Sequence, residues 1–158
     1  MNPAPKIQHI LVPHDFAEAA DSALSYALAF AEKLGARITL LHAYEVPAYG
    51  YPDAFVASLE FSSQVEERAS TFLQKVAAQA RRPNVEIDAI LRRGAAWTEI
   101  VDAAERLPAD LIVMGTHGRR GMSHVLIGSV AEKVVRCAPC PVLTVHAAKT
   151  QAARPATP

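Results

Sequence analysis

Asp110-Leu111-Ile112-Val113-Met114-Gly115-Thr116-His117-Gly118 is an apolar run that breaks abruptly into a glycine-punctuated polar segment. Consecutive large apolar residues without polar alternation describe a strand covered on both faces, as parallel sheets are when helices flank them. Four other segments are similarly short and rich in branched residues: Ile7-Gln8-His9-Ile10-Leu11-Val12, Ala36-Arg37-Ile38-Thr39-Leu40-Leu41, Val85-Glu86-Ile87-Asp88-Ala89-Ile90 and Pro141-Val142-Leu143-Thr144-Val145. Of these, Val85 to Ile90 alternates apolar with polar, the pattern of a half-covered edge strand.

Between the strands the apolar spacing is helical. Leu24, Ala27, Leu28 and Ala31 mark a first helix, with Gly35 as its stop. Val65, Ala69, Phe72, Leu73 and Val76 mark a second, Trp97, Ile100, Val101 and Ala104 a third, and Val130, Val134 and Val135 a fourth. Alternating strands and helices imply right-handed crossovers. The expected fold is α/β: a three-layer, doubly wound, Rossmann-like domain with a five-stranded parallel sheet in the order 3-2-1-4-5. A chain of 158 residues, 51% of them hydrophobic, supplies the core of one such domain and has no room for a second. The domain is expected over residues 1–147, with 148–158 as a flexible tail. Glu45 to Phe55, with Pro47, Gly50 and Pro52, reads as a loop, a candidate lid, leading late into the second helix.

Sixteen basic residues balance sixteen acidic ones, so bulk charge recommends neither nucleic acid nor an anionic membrane as partner. No apolar run approaches the roughly 18 residues of a membrane span, and Met1-Asn2-Pro3-Ala4-Pro5-Lys6 lacks the pattern of a secretory signal. Two cysteines do not make a disulfide scaffold. A cytoplasmic location is expected.

Ligands of open parallel sheets sit beyond the carboxyl ends of the strands, where strand order reverses. There the chain places Val12-Pro13-His14-Asp15, His42-Ala43 and Met114-Gly115-Thr116-His117-Gly118, which continues through Arg119-Arg120-Gly121 to Gly128-Ser129-Val130. Gly115 and Gly118 let the backbone turn and approach a ligand. Gly128 and Ser129 present amides at a helix N-terminus, where the dipole favours an anion, and Arg119 and Arg120 offer positive charge. Singly, these features are a turn and a helix cap. Aligned between one central strand and the next helix, they make a phosphate site. Neither a P-loop lysine nor a dinucleotide glycine pattern after the first strand is present.

From Ile7 to Val145 the chain resembles the universal stress protein family, in its ATP-binding branch. The resemblance is carried by Val12-Pro13-His14-Asp15-Phe16, Leu40-Leu41-His42-Ala43, Gly115-Thr116-His117-Gly118-Arg119 through Gly128-Ser129-Val130, and Ala138-Pro139-Cys140-Pro141-Val142. It implies that ATP is bound, with Asp15 beside the nucleoside, Pro13 and Ala43 at the adenine end, and Met114 under the sugar or base. Gly115, His117, Gly118 and Arg119 would adjoin ribose and phosphates, and Gly128, Ser129 and Val130 would hold the phosphates. It further implies a homodimer through Pro141 to Val145, an edge that pairing would cover. Family members often carry serine after Asp-Phe; this chain has Ala17.

Asp15 has a second reading, as the N-cap of the first helix. His14, His42 and His117 fall near strand ends, but their spacing fits no zinc pattern, and Mg²⁺ bound with the triphosphate is the metal expected. Cys137-Ala138-Pro139-Cys140 is a C-x-x-C placed between a helix and a strand, where the dipole opposes a thiolate. The expected function is a nucleotide-dependent stress-response or regulatory module. The alternatives are a slow ATP hydrolase or phosphotransferase, for which no assured base is found, and a dithiol redox protein.

Overall fold

A computed structural model describes residues 5–46, 55–116 and 127–147. In chain order they form β1 (His9–Pro13), α1 (Glu18–Leu34), β2 (Arg37–Tyr44), α2 (Phe55–Ala80), β3 (Ile87–Arg93), α3 (Ala96–Arg106), β4 (Leu111–Gly115), α4 (Ser129–Cys137) and β5 (Val142–Val145). The sheet runs β3-β2-β1-β4-β5 with every pair parallel, as expected. Winding reverses between β1 and β4, the switch point at whose carboxyl ends open parallel sheets hold their ligands. Residues 47–54 of the candidate lid, the segment from His117 to Gly121 and the tail from residue 148 lie outside the described residues.

The alternating side chains of the strands build two cores. On one face Ile10, Val12, Ile38, Leu40 and Val113 meet Ala23, Ala27 and Ala31 of α1 and Leu73 of α2. On the other, Leu11, Leu41, Ile112 and Met114 meet Ile100, Ala103 and Ala104 of α3 and Ala131 and Val134 of α4. Gly35 ends α1 in the left-handed conformation, φ 67°, donating its amide to Ala31 O.

The strand boundaries differ from expectation where side chains capture the backbone. β1 starts at His9 because Asp110 Oδ2 accepts the Gln8 and His9 amides at 2.8 and 2.9 Å. β3 starts at Ile87 because Val85 turns back to bond with Arg82. Two predicted core residues face outward: Phe72 is 52% exposed and Val135 49%. A helix lying on one face of a sheet buries only a stripe, and in α2 that stripe runs through Ala69, Leu73 and Ala80. Among the described residues no helix is long and apolar enough to cross a membrane.

Candidate functional site

The register brings the predicted segments to one end of the sheet. Pro13 pairs with Leu41, and His14 donates its amide to Leu41 O at 2.8 Å, so Asp15 emerges where β2 continues into His42 and Ala43. Leu11 pairs with Ile112; continuing that register sets Pro13 level with Met114. Ala43 and Val130 pack against the same core that holds Met114.

The turn from β1 into α1 is strained and tightly held. Phe16 has φ 64°, unusual for a residue with a β-carbon. Its amide donates to His14 Nδ1 at 3.2 Å, and its ring lies against His42, with centroids 4.4 Å apart, and Phe72, at 5.7 Å. Asp15 Oδ1 accepts the Ala17 amide at 3.1 Å, closing a small turn that ends directly before the helix. Asp15 is therefore not the N-cap. Ala17 occupies that position and caps nothing.

His14 accepts the Phe16 amide at Nδ1, which requires that nitrogen to be unprotonated; the neutral ring then carries its proton on Nε2. Nε2 lies 3.2 Å from Asp21 Oδ1, an ion-pair distance without hydrogen-bond alignment. Burial lowers the His14 pKa, outweighing the upward pull of Asp21 and Asp15. Folding thus favours the neutral ring, and the stability this gives is complete above the ordinary value of about 6.5 and is lost as pH falls below it. Urea unfolding compared between about pH 7.5 and about pH 5.5 is expected to show the wild type losing stability by up to about 1.4 kcal/mol per pH unit from this proton, and His14→Gln losing less. Equal losses in the two proteins would remove His14 as the source. His42 donates from Nδ1 to His14 O at 2.7 Å, tying the β2 end to the same turn.

Gly115 was expected to approach a ligand. Its missing β-carbon faces α1: a Cβ there would stand 2.9 Å from the Ala19 carbonyl carbon and Cβ. The glycine lets α1 sit on β4.

Thr116, not singled out in the sequence, is buried and joins three elements. Its amide donates to Val145 O at 2.8 Å, its carbonyl accepts the Gly128 amide at 2.7 Å, and its hydroxyl lies 3.0 Å from His146 Nδ1. Its only sequence signal is its position directly after the β4 glycine. The ends of the connection to α4 are thereby clamped together. Since the Gly128 amide is spent on Thr116, the anion-facing amides of α4 begin one residue later, at Ser129. Gly128 is the N-cap and offers no side chain, while Ser129 is the exposed first helical residue and does not cap. The amides of Ser129, Val130 and Ala131 have no intrahelical acceptor. His117, Gly118 and Arg119 lie outside the described residues.

Residues 6–146 match the model described as the universal stress protein family. The chain belongs to that family. It is 35% identical over 144 residues to the universal stress protein MJ0531 of Methanocaldococcus jannaschii, covering 90% of this chain and 84% of that one. Its fold is similar to that of MJ0577 from the same organism, with TM-score 0.80, 28% identity, and coverage of 92% of this chain and 99% of the other. A more distant likeness, TM-score 0.66 at 23% identity with 90% and 99% covered, is to a universal stress protein solved in complex with cAMP.

In this universal stress protein the C-x-x-C lies away from any helix N-terminus. Cys137 closes α4 itself instead of following it, and both thiols are free. Burial, with Asp110 adding to it, raises the Cys140 pKa, which disfavours a nucleophilic thiolate. Among the described residues no group of three or more histidine, cysteine or acidic side chains could hold a metal ion.

Proposed function

We propose that this universal stress protein binds an adenine nucleotide, ATP with Mg²⁺, and acts as a nucleotide-dependent stress-response or regulatory module in the cytoplasm. The observation that carries the reading is the uncapped α4 N-terminus, held by the Thr116 clamp at the same sheet end as Asp15, Ala43 and Met114. Amides at a helix N-terminus, with the positive end of the dipole behind them, suit phosphate. In this reading the amides of Ser129 and Val130 and the Ser129 hydroxyl take phosphates, Asp15 takes the ribose hydroxyls, Met114 lies under the sugar or base, and Pro13 and Ala43 line the adenine end. Gly115 also seats α1, and Gly115, His117, Gly118 and Arg119 would adjoin the ribose and phosphates. Mg²⁺ would arrive on the phosphates and neutralise their charge. The nucleotide in the solved cAMP complex supports the same ligand class.

The test is calorimetric titration of ATP with Mg²⁺, with mass spectrometry of any nucleotide that copurifies. Gly128 has φ −60° and ψ 153°, a conformation valine adopts, so Gly128→Val is expected to fold while its branched side chain obstructs the phosphate amides. A loss of at least about tenfold in affinity is expected, the order of one charged hydrogen bond. A wild type that neither binds nor copurifies nucleotide would overturn the reading. A homodimer through Pro141 to Val145 is part of the proposal, supported by β5 standing at the sheet edge; sedimentation velocity across a concentration series checks it.

A further inference from the structure

Among the described residues, the buried side-chain nitrogens that lack a hydrogen-bond partner are His14 Nε2 and Arg92 Nε. Both stand at the carboxyl end of the sheet, one after β1 and the other near the end of β3. His14 Nε2 has Asp21 at 3.2 Å; Arg92 Nε has no counterpart of this kind. A buried donor of a charged group that meets no acceptor is costly, and folded proteins satisfy nearly all such groups. Each exception calls for an explanation, and an acceptor supplied by a bound molecule is one.

Arg92 is placed for one. It pairs in register with Ala43, two positions beyond the pair Leu41 and Ile90, whose side chains belong to the core beneath α3 and α4. Strand alternation therefore puts Arg92 on the sheet face shared by Ala43, Met114 and Val130. β3 lies three strand spacings from β4, roughly 14 Å, which is comparable with the reach of an extended nucleotide. With phosphates drawn to the α4 amides on the β4 side, the opposite end of the ligand, its base, comes to the β2–β3 side.

We propose that Arg92 is a specificity-determining residue of the nucleotide site, donating a hydrogen bond from its guanidinium to an acceptor on the edge of a purine base. The inference rests on the nucleotide reading above and adds the group that tells one base from another. Adenine presents ring nitrogens that each accept a single guanidinium N–H, whereas the smaller pyrimidine ring at the same ribose position leaves that donor short of an acceptor.

The experiment titrates ATP and CTP, each with Mg²⁺, into the full chain and into Arg92→Met, which keeps length and apolar volume but removes the donor, and records the melting temperature of each protein without nucleotide. Arg92→Met is expected to bind ATP about tenfold or more weakly, to bind CTP as the wild type does, and so to lose most of its purine preference. Its melting temperature without ligand is expected to be unchanged or higher, since an unpartnered buried donor has been removed. An unchanged ratio of ATP to CTP affinity, or a lowered melting temperature with ATP affinity retained, would overturn the assignment and mark Arg92 as structural. A wild type that binds neither nucleotide would overturn the function reading and this inference together.

Discussion

Gly115→Val is expected to lower the unfolding free energy by about 3 kcal/mol, the upper part of the range for forcing extra atoms into a filled site. A β-carbon at this position would meet the Ala19 carbonyl carbon and Cβ at 2.9 Å and its carbonyl oxygen at 3.1 Å. Most of these are backbone atoms of the first turn of α1, which no rotamer change can move aside. Relief requires α1 to lift from β4, and the lift would disturb Ala23 and Ala27, which are fully buried in the core of that face. It would also pull on the turn from Pro13 to Ala17, where the Phe16 conformation depends on the His14 bond and on the His42 ring. The same substitution is therefore expected to weaken nucleotide binding as well. Urea denaturation with an unchanged m-value, together with calorimetry at a temperature where the variant is folded, checks both halves. A stability loss below about 1 kcal/mol would show that α1 accommodates the side chain, against the steric argument.

That case also marks how far the residues alone could be read. Strand identity was legible because a sheet buried on both faces must use runs such as Leu111 to Met114, and strand order followed from the doubly wound pattern. Gly35 was legible because ending a helix there needs a left-handed residue. The packing role of Gly115 was not, since a glycine needed for ligand approach and one needed for helix packing look identical in sequence. Asp15 was ambiguous for a related reason: an aspartate closing a turn and one capping a helix differ by a shift of two residues that local spacing does not encode. Thr116 and Arg92 were missed because their roles arise from contacts across the sheet. Thr116 meets Val145 and His146, some 30 positions on, and Arg92 takes its place from pairing with Ala43.

Leu73→Ala is expected to cost about 3 to 4 kcal/mol, whereas Phe72→Ala costs under about 1 kcal/mol, although the helical spacing of α2 placed both in the core. Leu73 is 1% exposed and sits in the cluster with Ile38, Leu40 and Val85. Its neighbours in the buried stripe of α2 are the small residues Ala69 and Ala80, which cannot relax far enough to fill the space that truncation leaves. Phe72, one position along, is turned by about 100° and spends most of its surface in solvent. What it touches is the ring of Phe16. Its truncation is accordingly expected to leave global stability nearly intact while loosening the strained turn beside His14 and Asp15, seen as faster amide exchange at Phe16 and Ala17 with little change elsewhere. Two adjacent residues of one helix would then separate cleanly, Leu73 holding α2 to the sheet and Phe72 bracing the turn at the edge of the proposed nucleotide site. Comparable stability losses from the two variants would instead mean that Phe72 is part of the core.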